Sequence, residues 1–308
     1  MRIWGVAFAA ALVIVIPGDA AAQRARQGLL SLEDARLFYE VVGEGEPIIV
    51  VHGGPGLDHN YLQPGLDALA TRNTLIYYDQ RGTGRSSAAL DSSAINIDAF
   101  IEDIDALRQA LGYERVTLLG HSWGAVVALE YASRHPEALQ SLILMNPVEP
   151  GARFRDQQAA RQRAALTVED STELATLTAT EGFGARDPAT VSQVYRVMFR
   201  QALRDRARID ELDLDLAEPT AKNGADVGRL LGESMGEVDW WDRLPQIRVP
   251  TLVLHGRYDL IPMQMSQALA ASLGQGRVVL LESGHFAYLE ARDGLLSAIS
   301  SFFVDLSR

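Results

Sequence analysis

The sequence predicts an α/β fold: a mostly parallel central sheet with helices on both faces and a helical segment inserted late in the chain. Three observations point to it. Short apolar runs alternate with amphipathic helical patterns up to about Pro147. Between about Val148 and Leu244 the strand patterns stop and only helical ones continue, and from Val249 the strand-then-helix alternation resumes. Strands that alternate with helices are joined by crossovers and pair in parallel, which leaves helices on both sheet faces.

The first 22 residues stand apart. Arg2 and the free amine precede an apolar run from Ile3 to Ile16, interrupted by Gly5; Pro17 and Gly18 break it, and Ala20, Ala21 and Ala22 supply the small residues of a cleavage site. The run is too short for a hydrocarbon core of about 30 Å. Residues 1–22 are therefore expected to be a signal peptide cut near Ala22-Gln23, with no membrane anchor left after cleavage and a periplasmic or secreted product. The chain has no cysteine, which excludes a lipid-bearing cysteine, disulfides and thiolate metal sites. With 47% hydrophobic and 22% charged residues in 308 it has the composition of a soluble globular protein. Its formal net charge of −12 argues against nucleic acid or an anionic membrane surface as a partner.

From Leu37 to Asp79 three strand-like stretches, "LFYEVVGEGEP", "IIVVHGGPG" and "TLIYYDQRG", are punctuated by turns. Ile97 to Leu111 has apolar residues at helical spacing and ends at Gly112, a suitable C-terminal cap. In "VTLLGHSWGAVVALEYA" an apolar strand runs through Leu119, a helix follows from Ala125, and Ser122 sits in the turn between Gly120 and Gly124. A tight strand-to-helix reversal leaves no room for a Cβ at those glycines, and G-x-S-x-G is the pattern that presents a serine on such an elbow. "LQSLILMNP" reads as the next buried strand. Three amphipathic helices follow in the insertion, then the strand "VPTLVLHG", a helix from Met263 to Leu273, the strand "RVVLLESG" and a closing helix from about Ala287 to Val304.

A serine hydroxyl needs a base to take its proton, and a histidine base needs a carboxylate to orient its ring. Asp259 lies just beyond "LVLHG" and His285 just beyond "VVLLESG", so both are expected at the carboxyl edge of the sheet, where open α/β folds bind ligands. The order Ser122, Asp259, His285 is the order this kind of elbow uses. Negative charge developing on a substrate oxygen needs preorganised donors. The backbone N–H of Trp123, first in the helix after the elbow, is one; Gly54, with Gly53 as the alternative, supplies the other from the glycine loop. His52 is read as support for that loop and His121 as packing. Asp79, Arg81 and Arg85 are expected to pair within "DQRGTGRS". No H-E-x-x-H or carboxylate–histidine cluster suggests a metal, and no cofactor is expected.

"HGGPG" (His52 to Gly56), "DQRGTGRS" (Asp79 to Ser86) and "GHSWG" (Gly120 to Gly124) together resemble the proline iminopeptidase family of the α/β-hydrolase superfamily. The resemblance covers about Leu37 to Pro147 and about Val249 to the end. It implies a catalytic domain of residues 23–147 and 245–308, a helical cap of residues 148–244, Ser122 as nucleophile, Asp259 and His285 as its partners, and Gly54 and Trp123 as oxyanion donors. Such peptidases hold the substrate's ammonium group with glutamates in or near the cap. Glu233 and Glu237 are the candidates here, and Trp241 either lines the pocket or pins the cap's return to the core. Members with that activity usually read "GGSWG", whereas this elbow carries His121. The expected partner is a small molecule or short peptide whose N-terminal residue, proline, is released through an acyl-enzyme. The alternatives are a carboxylesterase or lactonase with the same triad, and a non-catalytic binding protein on a hydrolase scaffold.

Overall fold

The computed structural model describes residues 25–236 and 239–308, so the leader reading of residues 1–22 lies outside the described residues, as does Glu237. Among the described residues nine strands form one sheet: β1 (Arg26–Ser31), β2 (Ala35–Val42), β3 (Glu46–Val51), β4 (Asn73–Tyr78), β5 (Ser87–Ala88), β6 (Val116–His121), β7 (Leu139–Met145), β8 (Thr251–Gly256) and β9 (Gly276–Leu281). The spatial order is β1-β2-β4-β3-β6-β7-β8-β9, with β5 paired to β2. From β4 through β9 every pairing is parallel, and β2 joins β4 antiparallel. The edge strand β1, "RQGLLS", has too few apolar residues to stand out in the sequence; it forms because β2 offers it a partner.

Central parallel strands covered on both faces read as continuous apolar runs. Ile48, Ile49, Val50 and Val51 of β3 are all fully buried. Alternation along the strand sends Ile49 and Val51 to one face and Ile48 and Val50 to the other. The first face is covered by α2 (Ile97–Ala110), α3 (Trp123–Arg134) and α9 (Met263–Ser272), through residues such as Ile104, Val127 and Leu269. The second is covered by α1 (Gln63–Leu66), α10 (Ala287–Glu290) and α11 (Arg292–Leu306), through Leu66, Ala287 and Phe302. The expected closing helix is thus two helices. Ala291 leaves helical geometry between them, at φ −135° and ψ 41°. Helix α2 starts where Asn96 Oδ1 accepts the Ala99 N–H, and Gly112 follows its end at φ 79°.

Between β7 and β8 the chain carries α4 (Arg155–Ala165), α5 (Val168–Thr178), α6 (Glu181–Gly184), α7 (Pro188–Arg200) and α8 (Glu218–Met235), with no strand among the described residues. Helix α8 lies on the two glycine-bearing loops of the sheet edge. Thr220 Oγ1 donates to Asp58 Oδ2 at 2.7 Å and accepts the Gly84 N–H at 2.9 Å, and Asn223 Nδ2 donates to the Gly82 carbonyl at 3.0 Å. The backbones of Gly224 and Gly56 approach so closely that a Cβ on either would strike the other's main chain. None of the described helices is long and apolar enough to cross a membrane.

Candidate active site

Ser122 joins β6 to α3 at φ 54° and ψ −118°, a conformation side-chain-bearing residues seldom adopt. The flanking glycines explain how the turn is held. A Cβ on Gly124 would meet the Val51 and His52 carbonyls, and one on Gly120 would meet the main chain of Gly124 and Ala125. The elbow therefore rests directly on the end of β3, and Ser122 stays partly exposed while His121 before it is buried.

Asp259 follows β8 and His285 follows β9. The ring of His285 donates from Nδ1 to Asp259 Oδ2 at 2.9 Å, because a carboxylate can only accept; Nε2 is left as the basic nitrogen. The same Oδ2 accepts from Asn146 Nδ2 at 2.8 Å, and Oδ1 accepts the Ile261 N–H at 3.0 Å. Burial pushes the Asp259 carboxyl up, but the opposing charge and hydrogen bond of His285, with Asn146, outweigh it and hold its pKa down at about 2. No hydrogen bond joins Ser122 Oγ to His285 Nε2 among the described residues. The two segments meet through His121, whose ring lies 5.0 Å from that of His285.

The glycine loop distinguishes its two candidate donors. Gly53 is buried and its N–H donates to Tyr61 Oη at 2.7 Å. Gly54 is exposed at φ 130°. The Gly53 carbonyl belongs to the same peptide as the Gly54 N–H and accepts from His52 Nδ1 at 2.9 Å. Because the C=O and N–H of a trans peptide point oppositely, His52 turns the Gly54 N–H away from itself. The tautomer is set by the Gln80 N–H, which donates to His52 Nε2 at 3.0 Å, and burial lowers the ring's pKa to about 4, keeping it neutral. Trp123, at the first position of α3, has its N–H at the positive end of the helix, where no preceding turn supplies an acceptor.

The other candidate residues have partners of their own. Glu233 is 60% exposed and its carboxylate pairs with Arg229 at 2.9 Å one turn away on α8; it touches none of Ser122, Asp259 and His285. Helical spacing alone accounts for that, since i and i+4 side chains share a face. Trp241 is buried, donates from Nε1 to Glu149 Oε1 at 3.3 Å and packs on Phe154 and under Arg153, so it clamps the exit of the inserted segment to its entry. Its neighbour Trp240 lines a cavity of about 290 Å3 with Val126, Glu149, Arg155 and Met235. Asp79 does not pair with Arg81. It accepts from His59 Nδ1 at 2.6 Å and from the Arg85 N–H at 2.7 Å, while Arg81 forks onto Asp103 and reaches Asp34.

Asn146 and Glu290 escaped the sequence reading. Asn146, at φ 47° just after β7, also donates to the Gly284 carbonyl at 3.1 Å and so ties Asp259 to the histidine loop. Its signal was a polar side chain at the carboxyl end of a buried strand, in "LMNP". Glu290 accepts the N–H groups of Gly284, Arg204 and Asp205 at 2.7, 3.2 and 2.9 Å, and the Ala202 carbonyl accepts the His285 N–H at 2.8 Å. The inserted segment thereby grips the loop that carries His285.

This arrangement is that of an α/β-hydrolase, and the chain belongs to that family: the model of the alpha/beta hydrolase fold matches residues 46–292. The chain is 28% identical over 292 residues to a proline iminopeptidase of Heyndrickxia coagulans, covering 90% of this chain and 98% of that one. Among solved structures it is similar to the proline iminopeptidase of Mycobacterium smegmatis, with a TM-score of 0.68 and 28% identity over 91% of this chain and 98% of that one. A thermophilic esterase from Thermogutta terrifontis shares the fold with a TM-score of 0.68 at 24% identity, over 91% and 99% of the two chains. The chain is thus a hydrolase of the α/β-hydrolase fold, distantly related to proline iminopeptidases.

Proposed function

We propose that the protein is a serine hydrolase in which Ser122 attacks a carbonyl carbon, His285 Nε2 takes the serine proton and returns it to the leaving group, and Asp259 holds the imidazole. Water then hydrolyses the acyl-enzyme by the same steps in reverse. Gly54 and Trp123 N–H groups receive the oxyanion; loss of one such donor typically costs about 10²–10³ in turnover. The observation that carries this reading is the 2.9 Å bond from His285 Nδ1 to Asp259, at the sheet edge where the strained Ser122 turn is partly exposed.

The favoured substrate is a small peptide or amide with N-terminal proline, supported by the 28% identity to proline iminopeptidases along 90% of the chain. The second reading, an esterase or lactonase on uncharged acyl substrates, is favoured by the placement of Glu233: its carboxylate is spent on Arg229 at an exposed face instead of awaiting an ammonium group. Export through a leader of residues 1–22 remains part of the proposal and rests on the sequence of that segment alone.

A fluorophosphonate probe should label Ser122, and Ser122→Ala should abolish both labelling and hydrolysis. An unlabelled, folded wild-type chain would return the protein to the binding-protein class. A panel of aminoacyl arylamides beside p-nitrophenyl esters then separates the substrate readings: turnover of prolyl arylamide well above other aminoacyl amides supports the peptidase, and turnover of esters alone refutes it.

A further inference from the structure

The histidine inside the elbow does more than fill space. Its Nε2 lies 3.1 Å from the backbone carbonyl oxygen of His285, and its Nδ1 lies 2.8 Å from Tyr61 Oη. A carbonyl oxygen only accepts, so Nε2 carries the hydrogen. Burial, then the neighbouring His285, lower the ring's pKa to about 3, so it is neutral and Nδ1 is bare. Tyr61 must therefore donate its O–H to Nδ1. Burial pushes that phenol far up, so the hydrogen is always present. Tyr61 Oη in turn accepts the Gly53 N–H at 2.7 Å. The chain of donors runs one way only: Gly53 N–H to Tyr61, Tyr61 O–H to His121, His121 Nε2–H to the His285 carbonyl.

We propose that Tyr61 and His121 are positioning residues that hold the glycine loop, the serine elbow and the histidine loop in one register. This rests on the serine-hydrolase reading above. The relay connects all three loops on which that reading places reacting groups, yet neither Tyr61 nor His121 hydrogen-bonds to Ser122 Oγ, His285 Nε2 or Asp259. It consumes the Gly53 N–H, which leaves Gly54 as the loop's outward donor, and it holds the His285 main chain at its carbonyl, whereas Ala202 holds it at its N–H. A glycine at position 121 would supply neither bond, so this chain has a coupling that a "GGSWG" elbow lacks.

Tyr61→Phe removes the hydroxyl while keeping the ring packed beside Phe286 and Tyr288. Tyr288→Phe is the matched control, because Tyr288 lies in the same aromatic cluster, 6.5 Å from Tyr61 between ring centroids, and its buried hydroxyl has no partner among the described residues. Rates on a p-nitrophenyl ester and the Ki of a boronic acid that mimics the tetrahedral adduct should be measured for wild type, both Phe variants and His121→Gln. Tyr61→Phe and His121→Gln should lower kcat about tenfold to a hundredfold, with KM within about twofold, and raise the boronate Ki in parallel with the loss in kcat/KM. Tyr288→Phe should match wild type. A folded Tyr61→Phe with wild-type kcat and Ki overturns the relay, and so does a Tyr288→Phe variant that loses as much. A wild type that neither hydrolyses the ester nor binds the boronate overturns the hydrolase reading instead, before any variant is compared.

Discussion

The backbone N–H of His285 donates to the carbonyl oxygen of Ala202 at 2.8 Å, so the loop bearing the imidazole is held by the inserted segment as well as by the sheet. Glu290 completes that hold. Its carboxylate gathers N–H groups from Gly284 on one side and from Arg204 and Asp205 on the other. Displacement of the inserted segment would therefore move His285 with it.

Glu290→Gln sets an amide where three backbone donors converge and satisfies fewer of them. kcat should fall about tenfold, while labelling at Ser122 slows by a similar factor. Unchanged rates in a folded variant would show that the Ala202 bond alone suffices.

Asn146→Ala removes a charge-assisted donor from Asp259, a bond of the kind worth about 1.5–3 kcal/mol. kcat/KM should drop about tenfold or more. Asn146→Asp puts a second carboxylate beside Asp259, and two like charges at that range cannot both ionise freely. The acid limb of its pH–rate profile should move to higher pH than in wild type, and superimposable profiles would contradict the assigned contact.

Gly224→Ala places a methyl group against the main chain of Gly56. Crowding of this kind costs about 1–3 kcal/mol. The lower Tm should come with a raised KM, because α8 bears on the loop that follows Gly54. A lower Tm with unchanged KM would uncouple α8 from the substrate side.

Acid should destabilise the fold in a defined window. His52 and His121 have native pKa values lowered to about 4 and about 3, against 6.5 for an unperturbed ring. Between pH 6.5 and those values the unfolded chain binds protons that the native chain does not, so their contribution is complete above pH 6.5 and lost as pH falls through the window. Each ring adds up to about 1.4 kcal/mol per pH unit to that slope. Urea titrations from pH 7 to pH 5 should show the loss, and His121→Gln should flatten it by up to one proton; an equal slope in that variant would refute the assignment.

What could be read along the chain was local. Central strands such as "IIVV" declare themselves because both faces are covered and no polar alternation is needed, and α2 declares itself by its apolar spacing and the glycine beyond it. The turn at Ser122 was equally legible, because Gly120 and Gly124 mark where main chains nearly touch. The weak edge strand β1 and the break at Ala291 left no such mark; β1 depends on its pairing with β2, which lies outside its own segment.

Partnership was decided only by the tertiary structure. Composition shows that Glu233 is acidic and near the inserted segment's end, but the side chain one helical turn away takes its charge. Arg81 stands two residues from Asp79 and pairs instead with Asp34 and Asp103. His121 and Asn146 look like a filler and a strand end until residues 60 to 164 positions away supply their partners. Secondary structure follows from periodicity within a few turns, whereas hydrogen-bond partners depend on which distant backbones the sheet brings within 3 Å of each other. The alphabet of the site was therefore visible along the chain, and its wiring was set by the packing.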